Sequence, residues 1–147
     1  MRKLAAIALL PLALVAFAPQ PPDSETPRKM SAAEERELSR DTMKAITSQI
    51  IGKGCWTDHT DLPEARRLST TLRIYVGPDG HLIGTPQLIQ PASEPLQDRP
   101  LQEFIKLARE ALKKCDVDGF DLPQGASEVL EDEYIDIMFL PKIGVDR

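Results

Sequence analysis

The stretch RLSTTLRIYVGPDGHLIGTPQLIQ, residues 67–90, decides the fold. In its first half apolar and polar side chains alternate, and the apolar positions are Leu72, Ile74 and Val76. A period of two is typical of a strand with one buried face. The turn sequence GPDGH follows at residues 77–81, and a second strand is predicted over residues 82–90. We therefore expect a β-hairpin.

A helix is predicted on each side of the hairpin. The first, residues 32–53, follows Ser31, which forms a capping-box pattern with Glu34. Apolar residues recur at helical spacing only in its second half, so we expect it to dock there through Met43, Ile46 and Ile50. The second helix, residues 101–115, has Asp98 as its N-cap. Its apolar face consists of Leu101, Ile105, Ala108, Leu112 and Cys115.

A third strand is predicted in EYIDIMFLP, residues 133–141, with Ile135, Ile137 and Phe139 on one face. The order helix, strand, strand, helix, strand predicts an α+β fold, a three-stranded antiparallel or mixed sheet packed on helices. A right-handed crossover gives the strand order second, first, third. Gly84 and Pro86 weaken the outer edge of the second strand. The edge of the third strand is therefore the one free to accept an extended peptide.

The first residues predict export to an extracytoplasmic space. A basic start, an apolar run and the ending Ala16-Phe17-Ala18 are typical of a signal peptide over residues 1–18, or of a short anchor, since Pro19 disfavours cleavage. A proline-rich tether follows at 19–30, then the domain at 31–141 and a tail at 142–147. The net charge of −5 provides no basic surface for nucleic acid and favours a protein partner.

The segment GKGCWTDHTD, residues 52–61, allows three kinds of site. The first is a metal site, whose ligands would be Cys55, His59, His81 and Cys115. The second is a thiol nucleophile at Cys55, with His59 as base and Asp58 or Asp61 as its orienting group. The third is a disulfide between Cys55 and Cys115, covered by Trp56.

The disulfide is favoured among these three. Zinc sites usually contain two tight ligand pairs, which this spacing lacks, and two cysteines in an exported protein are usually oxidised. A small thiol-redox or metal-binding protein that uses Cys55 is the alternative function. The sequence contains no cofactor-binding or catalytic motif, so we expect a non-enzymatic protein.

Several motifs together resemble one family. They are QIIGKGCW, LRIYVGPDGHLIGTPQLIQPASEP, FIKLAREALKKC, FDLP and YIDIMFLP, spread from about residue 41 to residue 141. In their order and spacing they resemble the C-terminal domain of TolA in alphaproteobacteria, a relative of the TonB C-terminal domain. The chain departs from a full TolA, because it has no long Ala/Lys/Glu-rich helical arm.

The resemblance implies a fold and a function. It implies the same α+β fold, the Cys55–Cys115 disulfide, and a non-enzymatic binding module of the periplasm. Such modules belong to inner-membrane energy-transducing systems, and their partners resemble TolB, Pal or outer-membrane receptors. It also implies that the last strand faces the partner, that is, Tyr134, Ile135, Asp136, Ile137, Met138, Phe139 and Leu140.

Overall fold

The sheet has the strand order that the sequence predicts. The computed structural model describes residues 28–143. Its strands are β1 (Thr70–Ile74), β2 (Gln87–Gln90) and β3 (Ile135–Phe139), arranged β2-β1-β3. Its helices are α1 (Ala32–Gly52), α2 (Arg99–Asp116) and α3 (Ala126–Leu130), with a 3₁₀ turn at Ala65–Arg67. The predicted leader, most of the tether and most of the tail lie outside the described residues.

The central strand β1 pairs antiparallel with both neighbours. Its pairing with β3 is regular from Thr70, opposite Phe139, to Ile74, opposite Ile135. Its pairing with β2 is shorter and contains a bulge, because Ile89 is an extra residue on the β2 side. The predicted α+β fold is confirmed, and the sheet is antiparallel throughout.

One face of the sheet and the two long helices enclose the core. Along β3 the burial alternates strictly, as predicted. Because alternate residues of a strand face opposite sides, β3 has one buried row and one exposed row, whereas four of the five residues of β1 are buried. The largest fully buried side chains come from all the layers; they include Ile46 of α1, Leu72 and Ile74 of β1, Phe104, Ile105 and Leu112 of α2, and Phe139 of β3.

Both predicted helix starts are confirmed. The Ser31 and Glu34 side chains each bond the backbone of the other residue, which completes a capping box. The Asp98 side chain accepts a hydrogen bond from the Leu101 N–H. The buried face of α1 is rotated slightly from the expected one, because Thr42 is buried whereas Met43 is 43% exposed.

Two other expectations differ from the structure. The second strand covers only residues 87–90, and residues 82–86 make a single bridge, between Leu82 and Val76. Gly84 has a φ of 73° and Pro86 has no N–H, so the ladder cannot continue through them. The acidic loop after α2 contains the helix α3, which was not predicted. Its five residues are too few for a periodic pattern to show.

Candidate protein-binding edge

The predicted partner-binding residues occupy the edge strand β3 and its two ends. Three of them, Ile135, Ile137 and Phe139, are buried in the core. The other four are exposed: Tyr134, Asp136, Met138 and Leu140. Within residues 28–143 only β1 pairs with β3, so the opposite edge of β3 has no strand partner there. The seven residues thus comprise a buried row that holds the strand and an exposed row.

The hairpin determines which main-chain groups of β3 face the free edge. Tyr75 C=O accepts from Ile83 N–H, and Gly77 N–H donates to His81 C=O, each at 2.8 Å, so odd-numbered residues here face the β2 side. Successive residues of a strand point their main-chain groups to opposite sides. The even-numbered residues of β1 therefore face β3. Asp136 and Met138 lie opposite odd-numbered residues of β1. Their N–H and C=O groups therefore point away from β1, toward the free edge.

The exposed face of the sheet carries an ordered cluster of side chains beside this edge. The Arg73 guanidinium donates two hydrogen bonds to the Asp136 carboxylate, at 2.7 and 2.8 Å. It also lies 3.6 Å from the centre of the Tyr134 ring, which meets the Tyr75 ring edge-on at 6.4 Å. The hydrogen bonds from Arg73 hold the pKa of Asp136 below its usual range. Met138 lies on the same face and is 63% exposed.

The segment with Cys55 and Trp56 fastens the end of β3. Cys55 and Cys115 form a disulfide with a Cα–Cα distance of 5.6 Å. Trp56 is buried against Phe104 and Phe139, and its Nε1–H donates to Leu140 C=O at 3.0 Å. The main-chain N–H of His59 donates to Pro141 C=O at 2.8 Å. The predicted disulfide is confirmed, and the segment also anchors the strand that was predicted to face the partner.

Neither alternative site is formed by the described residues. Both cysteines are in the bridge, so neither is a free thiol. The His59 ring packs on Trp56, with 4.4 Å between ring centres. His81 lies elsewhere, its Nδ1 2.8 Å from the carbonyl oxygen of Asp116, and hydrogen bonding to Asp116 raises the pKa of its imidazole. In the described part of the chain no three His, Cys, Asp or Glu residues are grouped to hold a metal ion.

The two ends of the free edge carry opposite charges. Glu131, Asp132 and Glu133 precede β3 and are exposed. At the other end Arg66 and Lys142 line an open groove of about 480 Å³, which also touches Leu140. None of these five groups belongs to an ion pair among residues 28–143. The charges are therefore available to a partner that lies along the edge.

Sequence reasoning missed Arg73 as a residue of this region, and it missed the burial of Thr42 on α1. A signal for Arg73 existed, since it lies on the exposed row of β1 and Asp136 on the exposed row of β3. Their pairing depended on a register that the sequence does not specify. Thr42 carried no signal, because a threonine inside an amphipathic helix can lie on either face.

The fold is a small α+β domain whose three-stranded sheet has two outer edges, one on β2 and one on β3. Comparison of the chain with protein-family models, with curated protein sequences and with solved structures found no match. Within residues 28–143 no helix has both the length and the apolar character needed to cross a membrane.

Proposed function

We propose that this protein is a non-enzymatic binding module of the bacterial cell envelope, and that it binds an extended segment of a partner by strand addition at β3. The observation that carries the proposal is the unpaired edge of β3, where Asp136 and Met138 point their main-chain groups outward. A strand laid along this edge would extend the sheet from three strands to four.

The two edges of the sheet differ in how well they can pair with an added strand. The β2 edge has a bulge at Ile89, and Gly84 and Pro86 interrupt the segment before it. Such features discourage another chain from pairing. The β3 edge has no proline or glycine, and its pairing with β1 continues over five residues without a bulge. Strand addition at β3 therefore meets fewer obstacles.

The main-chain bonds alone would give only weak binding. Asp136 and Met138 offer one donor and one acceptor each, so four hydrogen bonds can form. At about 0.5–1.5 kcal/mol each, they contribute about 2–6 kcal/mol. The lost freedom of association costs at least about 4 kcal/mol. Side chains such as Met138 and Tyr134 must therefore supply most of the net affinity and the specificity.

The proposed location and partners follow from the disulfide, the first residues and the family resemblance. The Cys55–Cys115 disulfide suits an oxidising compartment, and residues 1–18 have the pattern of an export signal. The resemblance to the TolA and TonB C-terminal domains adds the periplasm and partners similar to TolB, Pal or an outer-membrane receptor. We propose this setting together with the binding role.

Crosslinking at the two sheet edges tests the proposal. A photoreactive amino acid is placed at Met138 on the free edge, or at Gln87 on β2 as the matched control, in cells that export the protein. We expect a discrete crosslinked partner from position 138 and none from position 87. Equal crosslinking at both positions would contradict strand addition at β3.

A proline variant isolates the backbone contribution. Met138→Pro removes an N–H that points away from β1, so no hydrogen bond of the sheet is lost. We expect at least a tenfold loss of affinity for the crosslinked partner, whereas Met138→Ala, which keeps the N–H, loses less. Circular dichroism shows whether each variant remains folded. Undiminished binding by folded Met138→Pro would refute the proposal.

A further inference from the structure

The free edge of β3 has a charge polarity. The three residues before the strand, 131–133, are acidic and exposed. After the strand, Arg66 and Lys142 are exposed and line an open groove. Asp58 lies near Lys142, but its carboxylate accepts two hydrogen bonds from Thr60. The edge is therefore negative at the start of β3 and positive at its end.

A second copy of the chain is complementary to this edge when the two β3 strands run antiparallel. The acidic end of each copy then lies against the basic end of the other, and a two-fold axis makes the two contacts identical. Charges separated by less than roughly 10 Å still interact at ordinary salt concentrations. A parallel arrangement would instead bring like charges together at both ends. The charges therefore favour a symmetric antiparallel contact between copies.

The main-chain groups of β3 fit the same arrangement. With the two-fold axis at Ile137, Asp136 of one copy lies opposite Met138 of the second copy. Both residues point N–H and C=O outward, so each such pair exchanges two hydrogen bonds and the dimer has four. Among residues 28–143, no main-chain hydrogen bond from a loop or cap reaches these groups. The ladder ends there, because the Leu140 C=O already accepts from Trp56.

Exposed apolar side chains lie where the two copies would meet. Tyr134, Met138 and Leu140 of the exposed row are 46%, 63% and 47% exposed. In the antiparallel register Tyr134 lies beside Leu140 of the second copy, and the two Met138 side chains are diagonal neighbours across the axis. Association would remove part of this apolar surface from water, which is favourable.

We propose that two copies of this chain associate through their β3 edges and form one continuous six-stranded antiparallel sheet. The inference rests on the free edge that the proposed function uses, and it names a second copy as a competing occupant. Four main-chain hydrogen bonds give only weak association, so a dilute chain is monomeric with its edge free and a concentrated chain is dimeric. A partner has to displace the second copy before it binds to the dimer.

Sedimentation equilibrium of the full chain, purified with its disulfide intact, tests the dimer. From about 1 µM to about 1 mM we expect a reversible shift from monomer to dimer. Met138→Pro removes one outward N–H from each copy and should weaken association at least tenfold, whereas Met138→Ala should weaken it less. Circular dichroism shows whether each variant is folded. Unchanged association of folded Met138→Pro, or a wild-type monomer at every concentration, would overturn the proposal.

Reversal of the charges tests the polarity of the contact. Arg66→Glu/Lys142→Glu makes both ends acidic, and Glu131→Lys/Glu133→Lys makes both ends basic on balance. Each variant alone should associate about tenfold more weakly than wild type, because like charges then meet at both ends. An equal mixture of the two variants should regain the wild-type strength. A mixture that associates no better than either variant would contradict the antiparallel contact.

A matched control reverses charges elsewhere. Lys106→Glu/Lys113→Glu changes two exposed cations of α2 and should associate like wild type. A loss equal to that of the Arg66→Glu/Lys142→Glu variant would show an effect of net charge alone and overturn the polarity.

Crosslinking from position 138 distinguishes this dimer from the proposed function. In the purified chain, we expect a product of twice the chain mass, joined at residues 136–138 of the second copy. A crosslink only within a single chain would overturn the dimer. A monomeric chain that still crosslinks another envelope protein in cells would overturn the dimer and leave strand addition intact. Dimer crosslinks in cells with no other protein captured would support the dimer and contradict the proposed function.

Discussion

Removal of the Cys55–Cys115 disulfide should take away a large part of the stability of the domain. The two cysteines are 60 residues apart in sequence. In the chain-entropy model a closed loop of this length stabilises the folded state by about 4 kcal/mol. The Cys115 side chain is buried, so replacement by alanine also loses packing, about 1 kcal/mol. A domain of this size has a free energy of unfolding of about 5–15 kcal/mol.

Urea unfolding of the double variant Cys55→Ala/Cys115→Ala measures this loss. We expect the free energy of unfolding to fall by about 4–5 kcal/mol and the melting temperature to fall by roughly 15 °C. Each single variant, kept in reductant, should lose nearly the same amount, because either change breaks the one bridge. An unchanged urea midpoint in the double variant, or two titratable thiols in the native protein, would refute the reasoning.

Two further predictions concern the contact of the hairpin with the end of α2 and with the loop that follows it. A Cβ at Gly80 would overlap the carbonyl oxygen of Phe120, whereas one at Gly84 meets no atom within 4 Å, and both glycines have positive φ. Measured by urea unfolding, Gly84→Ala should lower the free energy of unfolding by about 1–2 kcal/mol. Gly80→Ala should lower it by at least twice that amount, and equal losses in the two variants would contradict the overlap at Gly80. Hydrogen bonding to Asp116 raises the pKa of His81 in the folded protein. The His81–Asp116 interaction therefore contributes its full stabilisation below the unfolded pKa of 6.5, and this stabilisation declines as the pH rises through the folded pKa. Unfolding measured from about pH 5.5 to about pH 8.5 should show this decline in wild type but not in His81→Gln, and parallel profiles would count against it.

Much of the fold could be predicted because its signals are local. Alternation gave the inner rows of β1 and β3, and the caps at Ser31 and Asp98 marked the starts of both long helices. The strand order followed from the handedness of the crossover between β2 and β3. Each of these signals depends on residues close in sequence or on a general rule of chain topology.

The remaining features depend on tertiary contacts. The short α3 is held by burial of Ala126, Val129 and Leu130, which its five-residue sequence does not reveal. Likewise, whether Thr42 or Met43 faces inward depends on a rotation of α1 that only its neighbours determine.

The binding edge was predictable in part. Topology identified β3 as an edge strand, because β1 is central in the order β2-β1-β3, and Gly84 and Pro86 disfavoured the other edge. The direction of the main-chain groups and the Arg73–Asp136 pair required the register, and a slip of one residue would reverse both. Side-chain alternation therefore separated the buried row of β3 from its exposed row, but it could not show which main-chain groups face the free edge.

Residue-level hydrogen exchange tests strand addition most directly. It is measured on the wild-type protein, free and in complex with the partner that crosslinking identifies. In the free protein the amide hydrogens of Asp136 and Met138 should exchange rapidly, since they have no partner in the sheet. On binding they should become strongly protected, while the amides of Gln87 and Ile89 on β2 keep their free-state rates. Unchanged rapid exchange at Asp136 and Met138 in the saturated complex would contradict strand addition at β3.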